Sequence, residues 1–137
     1  MYLTFDVKMG DFSNAGKVSS EIKGILKQLN INPKDIKRII VALYEAEVNV
    51  VAHSYGGKIE CLIDSDRVIA NIADTGPGIA DIDLAMKEGY STATEEVREM
   101  GFGAGMGLAN IKKNSDEMNI ESELGKSTNI KLIFYLD

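Results

Sequence analysis

The chain is poor in the residues that carry several common kinds of architecture and chemistry. Its 137 residues include one cysteine, one histidine, two prolines and no tryptophan. A single thiol excludes an internal disulfide framework and fits a reducing compartment. No apolar run approaches the roughly 20 residues of a membrane-spanning helix, and the N-terminus has no signal-peptide pattern. We therefore expect a cytoplasmic protein that does not act on a membrane.

Basic residues are also in the minority. The chain has 15 lysines and arginines against 21 acidic residues, a formal net charge of −6. Binding nucleic acid requires basic surface that neutralises phosphates, so we expect no nucleic-acid partner. ATP remains compatible with an acidic protein, because a local site and Mg²⁺ can oppose the overall field.

The remaining composition is ordinary for an α/β protein, with 45% hydrophobic and 26% charged residues. A chain of this length can bury most of its apolar surface without disulfides or a structural metal. We find no repeat, low-complexity segment or linker, and residues 1–137 are predicted to form a single domain. Cys61 lies in an apolar run and is predicted to be a small buried hydrophobe rather than a reactive thiol.

The patterned segments predict a two-layer α/β sandwich, because neighbouring strands lack the helical crossovers that a parallel sheet requires. Alternation predicts the strands, and apolar spacing with capping residues predicts the helices. The predicted elements are a strand at residues 1–7, a helix capped within residues 11–14 and ending near 29, a helix from 32–33 to 53, strands at 58–64 and 67–73, a long loop at 74–107, a helix from 106 to about 116, and strands at 118–122 and 128–136.

The second helix carries polar residues in an apolar setting. Asn32 is predicted as its cap and Pro33 as its first residue. The helix is nearly apolar all round, which predicts burial on more than one side. Glu45 and Asn49 lie four residues apart and therefore point the same way. Buried, they would cost several kcal/mol unless bonded or bound to an ion; the alternative is that they face water across a gap in the core.

Glu47 and His53 are harder to assign. The helical wheel places Glu47 in the middle of the apolar face, where it would pair with a buried cation such as a lysine or mark a partner surface. His53 lies one turn beyond Asn49, and a hydrogen-bonded residue of the terminal turn is favoured over a phosphate ligand.

A first glycine motif, Asp-Thr-Gly-Pro-Gly-Ile at residues 74–79, directly follows a predicted strand. It presents one fixed carboxylate beside backbone that a flat ligand can approach closely. A carboxylate can accept a hydrogen bond from the exocyclic amine of adenine. The alternative is a simple tight turn.

A second glycine motif, Gly-Phe-Gly-Ala-Gly-Met-Gly-Leu at residues 101–108, directly precedes a helix. Backbone N–H groups at a helix start form an anion site suited to phosphates. No Gly-Lys-Ser/Thr follows, so this is not a Walker loop, and no strand precedes it as in the dinucleotide fingerprint. Lys112 and Lys113 in the following helix are predicted to be solvated rather than phosphate ligands.

In this order and spacing, Glu-x-x-x-Asn, Asp-x-Gly-x-Gly and Gly-x-Gly-x-Gly resemble the three boxes of the GHKL ATPases. The resemblance covers nearly the whole chain. It implies the Bergerat fold, a mixed and mostly antiparallel sheet covered on one face by about three helices, with a glycine-rich ATP lid that begins after Ile79.

The resemblance also implies a role for each motif residue. Glu45 would be the catalytic general base, and Asn49 would coordinate the Mg²⁺ that bridges the phosphates. Asp74 would bind the adenine amine, with Thr128 close to it. The residues implied to shape the adenine pocket or wrap the phosphates are Gly76, Gly78, Ile79, Gly101, Gly103, Gly105, Gly107 and Leu108.

Within that group, the length and residues 116–123 look most like the bacterial anti-sigma factor and switch kinases. This branch implies phosphorylation of a serine or threonine on a small antagonist (STAS-type) protein, with a sigma factor as a further partner and a homodimer as a further state. Ser127 departs from the glycine of many relatives, and Glu47 from a small or apolar residue.

The sequence therefore favours an ATP- and Mg²⁺-dependent serine/threonine protein kinase. Two alternatives stay open: a binding module that sequesters a sigma factor with ATP shaping its surface, and an ATP-hydrolysing switch without a protein acceptor. A histidine kinase is disfavoured, because His53 lies within the nucleotide helix and no dimerising phosphoacceptor helix precedes the domain.

Overall fold

The computed structural model describes residues 1–76, 107–123 and 126–137. Over these residues the chain forms a five-stranded sheet and three α-helices. The elements in chain order are β1 (Tyr2–Val7), a 3-10 turn (Phe12–Asn14), α1 (Lys17–Gln28), α2 (Pro33–His53), β2 (Gly57–Ile63), β3 (Arg67–Thr75), α3 (Gly107–Asn114), β4 (Glu117–Glu123) and β5 (Ser127–Tyr135).

The described strands follow the order β1-β2-β3-β5-β4, and each of the pairings between them is antiparallel. Every second residue of the central strands is buried against the helices, while the alternate residues are more exposed, as a half-buried pleated surface requires. The predicted two-layer α/β sandwich is confirmed.

Helix α2 lies at the centre of the helical layer and packs against α1 on one side and α3 on the other. Ile39 and Leu43 are fully buried within the core. The predicted burial of α2 on more than one side is therefore confirmed.

Both ends of α2 follow from local chemistry. Asn32 Oδ1 accepts a hydrogen bond of 2.9 Å from the N–H of Lys34, and Pro33 fills the first position, where no donor is needed. At the other end Ser54 is extended, and its hydroxyl accepts a hydrogen bond of 3.1 Å from the N–H of Gly56. Gly56 has φ +115°, which favours glycine, and turns the chain into β2.

The start of α1 differs from the prediction. Residues 11–14 were expected to cap this helix, but they form the separate 3-10 turn, and α1 begins at Lys17. The capping residue is Gly16, with φ +93° and no side chain to accept a hydrogen bond. The N–H groups of the first turn must therefore find an acceptor elsewhere.

That acceptor is Glu47 of α2, which is only 2% exposed. Its Oε2 accepts the N–H groups of Gly16 at 2.9 Å and Val18 at 3.2 Å. Its Oε1 accepts the N–H of Ser19 at 3.1 Å. Both expectations for Glu47 are wrong. The carboxylate is buried and bonds to backbone N–H groups rather than to a lysine, and it caps a neighbouring helix whose positive end favours a negative charge.

Cys61 is fully buried, as predicted, and burial raises the pKa of its thiol to about 11. None of the helices within the described ranges combines the length and apolar character that crossing a bilayer requires.

Candidate nucleotide site

Asp74 lies near the end of β3, on the face of the sheet that the helices cover. The predicted strand ended at residue 73, but β3 continues to Thr75, because Asp74 and Thr75 still pair with Thr128 and Ser127 of β5. The preceding residues of the same face, Ile72 and Ala70, are buried, whereas Asp74 is half-buried. The carboxylate therefore lies on the core side of the sheet at a point that a ligand can reach.

One carboxylate oxygen of Asp74 is fixed and the other is available. Oδ1 accepts a hydrogen bond of 3.1 Å from the backbone N–H of Thr128, and Oδ2 has no hydrogen-bond partner among the described residues. Thr128 is itself buried, and its hydroxyl lies 3.1 Å from that of Ser122. Desolvation raises the pKa of Asp74, and the Thr128 hydrogen bond opposes this rise in part.

The strand next to Asp74 approaches it closely. Gly57 of β2 is the direct antiparallel partner of Asp74 and has no side chain on this face. A Cβ atom at Gly57 would lie 2.5 Å from the carbonyl oxygen of Ala73 and 3.0 Å from Cβ of Asp74. A side chain at residue 57 would therefore collide with β3, and the position requires glycine.

Gly76 joins the end of β3 to the end of α2. Its N–H donates to the carbonyl oxygen of Lys126 at 3.0 Å, and a Cβ atom at Gly76 would lie 3.1 Å from Cα of Ser54. Ser54 also donates to the carbonyl of Val50 at 2.7 Å, one turn earlier in α2. The segment after Asp74 thus packs onto the same end of α2 that carries Asn49.

Asn49 is half-buried and faces the start of α3. A Cβ atom at Gly107 would lie 2.9 Å from Oδ1 and 3.0 Å from Nδ2 of Asn49. The Asn49 amide has no hydrogen-bond partner among the described residues, so its oxygen is available as a ligand for a hard cation. Leu108, the next residue of α3, is only 8% exposed and anchors the helix start in the core.

Glu45 lies one turn before Asn49 and also faces α3. Its Oε1 accepts a long hydrogen bond of 3.5 Å from Nδ2 of Asn110. Glu45 and Asn49 are both half-buried on the side of α2 that faces α3. The second oxygen, Oε2, has no partner among the described residues and could accept a proton.

The described residues thus bring two parts of the predicted site to one end of α2. Lys112 and Lys113 are exposed, as expected. No group of three or more acidic, cysteine or histidine side chains that could hold a metal occurs among the described residues. A cation here would depend on Asn49 together with phosphate oxygens, which suits Mg²⁺. The predicted site residues outside the described ranges are Gly78, Ile79, Gly101, Gly103 and Gly105.

Sequence reasoning missed three residues of this region. Gly57 is identifiable only once its pairing with Asp74 is known, and Ser54 only once Gly76 is seen to pack on it. Asn110 follows the glycine motif on the first turn of α3, and its polar side chain so near Leu108 was an available signal.

A family model described as "Histidine kinase-, DNA gyrase B-, and HSP90-like ATPase" matches residues 34–137. The chain belongs to this family. The resemblance inferred from its three motifs is confirmed.

Within the family the chain is similar to anti-sigma factors and to a serine/threonine-protein kinase. It is 32% identical over 114 residues to an anti-sigma F factor of Thermoanaerobacter sp. (strain X514), covering 80% of this chain and 76% of the relative. It is 32% identical over 120 residues to the serine/threonine-protein kinase RsbT of Bacillus subtilis (strain 168), covering 83% of each. The chain therefore stands among the ATP-binding regulatory serine/threonine kinases of this family.

Two solved structures share the fold at low sequence identity. The RsbU and RsbW domains of Rv1364c from Mycobacterium tuberculosis match with a TM-score of 0.63 at 19% identity, covering 98% of this chain and 32% of that one. A chain of the SiaB-SiaC complex from Pseudomonas aeruginosa matches with a TM-score of 0.59 at 12% identity, covering 96% of this chain and 89% of that one.

Proposed function

We propose that the chain binds ATP between the end of β3, the C-terminal half of α2 and the start of α3, and transfers the γ-phosphoryl group to a serine or threonine of a small antagonist protein. The observation that carries this proposal is the available oxygen Oδ2 of the half-buried Asp74 carboxylate, whose other oxygen accepts the N–H of Thr128.

Adenine recognition follows from that arrangement. The exocyclic amine of adenine is a donor, and Oδ2 of Asp74 is an acceptor on a half-buried strand end. A charge-assisted hydrogen bond in a partly desolvated site is stronger than the same bond in water. Gly57 and Gly76 have no side chain, so neither adds one beside the strand end at which the ring would bind. From the sequence motifs, we also propose that Gly78 and Ile79 help to shape the adenine pocket and that the remaining glycines of the second motif wrap the phosphates.

The phosphates would lie at the opening of α3. Gly107 and Leu108 begin this eight-residue helix, whose free N–H groups attract an anion. The Asn49 oxygen, in contact with the position of Gly107, would hold Mg²⁺. When bound, Mg²⁺ supplies positive charge that offsets the phosphate oxygens.

Glu45 would act on the incoming hydroxyl. Its carboxylate would accept the proton of the serine or threonine as the hydroxyl oxygen forms a bond to the γ-phosphorus. The bond from that phosphorus to the bridging oxygen breaks, and ADP leaves. Asn110, which donates to Oε1 of Glu45, would hold the carboxylate in place while Oε2 accepts the proton.

The proposed protein partner is an antagonist of the STAS type that carries the acceptor hydroxyl. A sigma factor is proposed as a second partner, in line with the names of the anti-sigma F relatives. A homodimer is proposed as the state that holds the sigma factor, and light scattering at micromolar concentration measures it directly.

The test is phosphate transfer from γ-labelled ATP to a lysate of the protein's own cells, followed by identification of the labelled band. We expect one small labelled protein. Glu45→Ala should lower the transfer rate by roughly 10²–10⁴-fold, the usual contribution of a general base, while ATP still binds. Glu21→Ala, at an exposed site on α1, is the matched control and should transfer at the wild-type rate.

The other outcomes reject the proposal in distinct ways. Normal transfer by Glu45→Ala would show that Glu45 is not the base. A stable sigma-factor complex without any labelled protein would favour sequestration. Steady phosphate release without a labelled protein would favour an ATP-hydrolysing switch.

A further inference from the structure

A groove of about 570 Å³ runs between the C-terminal half of α1 and the N-terminal half of α2. It is remote from the nucleotide site along α2: its last α2 residue, Val41, precedes Asn49 by about 12 Å of helix axis. Its lining combines aliphatic side chains with lysines and has no acidic residue: Lys23, Lys27, Asn30, Ile31, Pro33, Ile36, Lys37, Ile40 and Val41.

The floor of this groove is aliphatic and incompletely covered. Ile36 is 6% exposed, while Ile31, Ile40 and Val41 are half-buried, so apolar surface remains open to solvent. No buried polar side chain converges on the floor to orient a small polar molecule. Aliphatic side chains of a second polypeptide would bury this surface without leaving a polar group unpaired.

The rim of the groove is positive in a chain that is negative overall. Lys23, Lys27 and Lys37 are all exposed, and none of them forms an ion pair with another described residue. The whole chain has a formal charge of −6. The groove is lined by three lysines and by no acidic residue, so its local charge is positive. Such a reversal attracts acidic partners and repels basic ones.

We propose that this groove, the lysine groove, is a docking site for an acidic amphipathic segment of a partner protein. Aliphatic residues of the segment would lie on the isoleucine floor, and its Asp and Glu side chains would meet the lysines at the rim. A groove between two helices suits a peptide that presents apolar residues at positions i, i+3 or i+4, and i+7. The site is separate from the proposed kinase chemistry and does not depend on it.

The probe is a phage-displayed library of random 16-residue peptides, selected on the full chain with ATP in excess. The test variant is Lys23→Glu combined with Lys37→Glu, two exposed residues that avoid the last turn of α1, where Lys27 favours the helix dipole. The matched control is Lys58→Glu combined with Lys131→Glu, which changes the charge equally at exposed strand positions outside the groove.

We expect the selected peptides to combine acidic residues with Leu or Ile at helical spacing. Synthetic copies should bind the test variant at least about tenfold more weakly than wild type, and the control variant within about threefold. Their affinity should fall as salt rises from 50 to 300 mM, because the rim lysines are exposed. Asp74→Asn should bind them normally, so this result is independent of the outcome of the kinase assay.

Four results would overturn the proposal: no enriched peptide, enriched peptides without an acidic excess, equal affinity for wild type and the test variant, or equal loss in both double variants. Binding of wild type but not the test variant to phosphatidylserine vesicles, without peptide binding, would assign the groove to a lipid surface instead. Self-association of the wild type that the test variant loses would assign it to a second copy of the chain.

Discussion

The side chain of Asn49 fills the space that a Cβ atom at Gly107 would need, since such an atom would lie 2.9 Å from its Oδ1 and 3.0 Å from its Nδ2. The Asn49 amide can occupy this place because the first residue of α3, 58 positions further along the chain, has no side chain. This contact joins the end of the second glycine motif to the proposed metal ligand.

Gly107→Ala should leave the fold intact and damage nucleotide binding. The added methyl meets the far end of a side chain that can rotate, so the cost to stability is small, but the rotation removes the amide from its position. We expect Mg²⁺-dependent ATP affinity to fall by about tenfold or more, as loss of one interaction with a charged group predicts. Isothermal titration calorimetry measures the affinity, and thermal denaturation measures the stability.

Gly24→Ala is the control for this substitution. Gly24 lies inside α1, and a Cβ atom there would meet nothing within 4 Å. We expect ATP affinity to be unchanged and the free energy of unfolding to rise by about 0.5–1 kcal/mol, because alanine favours a helix over glycine. If both alanine variants bind ATP like wild type, the position of Asn49 does not matter for the nucleotide.

Glu47→Ala should destabilise the protein because three backbone N–H groups at the start of α1 lose their acceptor. Loss of a buried charged acceptor predicts a decrease of roughly 3 kcal/mol in the free energy of unfolding. Glu47→Gln retains one acceptor oxygen and should lose less. Urea denaturation measures both, and equal stability of wild type and Glu47→Ala would contradict the capping role.

The Cys61 thiol should be inert in the folded protein. Burial raises its pKa from an ordinary 9.0 to about 11. Because the folded value is above the unfolded one, the neutral thiol favours folding fully below pH 9, and this contribution is lost as the pH rises through about 11. We expect a thiol reagent at pH 8 to label the chain only after urea is added. Labelling of the native chain at the rate of a free cysteine would show that the thiol is exposed.

The ionised Asp74 carboxylate should lower the free energy of unfolding at neutral pH. Desolvation raises its pKa from 3.8, so the ionised carboxylate carries a cost in the folded state that is present above the folded pKa and disappears below the ordinary value. Asp74→Asn should therefore be at least as stable as wild type at pH 7, and wild type should gain relative to it as the pH falls towards 4. Urea denaturation at each pH measures this difference. If the wild type instead became less stable relative to the variant as the pH fell, the pKa of Asp74 would be lowered by folding and not raised.

Local chemistry made much of the fold predictable. Asn32 and Pro33 determine where α2 starts, and alternation over β2, β3 and β5 identifies the strands and their buried faces. The strand order was not predictable from the sequence. β4 comes before β5 along the chain, but β5 is the strand that pairs with β3, and β4 lies at the edge of the sheet.

Long-range contacts explain what the sequence did not reveal. The acceptor of the first turn of α1 lies on α2, so the local pattern predicts a cap at residues 11–14 and does not indicate the role of Glu47. Arg38 is another case: it binds Asp35 and, far along the chain, Asp116, and lies over Phe134. Asp116 lies 78 residues from Arg38, and no spacing rule relates the two.

The site was predictable to the extent that its motifs are local. Glu45 and Asn49 share one side because four residues make about one helical turn, and both do face α3. Gly57 carries no motif, because its importance comes from lying opposite Asp74 in the sheet. The lysine groove combines residues from two helices and the turn between them, so no single pattern marks it.

Calorimetric titration of ATP with Mg²⁺ into wild type and Asp74→Asn tests the proposed pocket most directly. The variant keeps an oxygen for the N–H of Thr128 and should stay folded, but it exchanges a charged acceptor for an amide. We predict an affinity at least about tenfold weaker than that of wild type, from the loss of one charge-assisted hydrogen bond. An unchanged affinity in a folded variant would mean that adenine does not bind at Asp74.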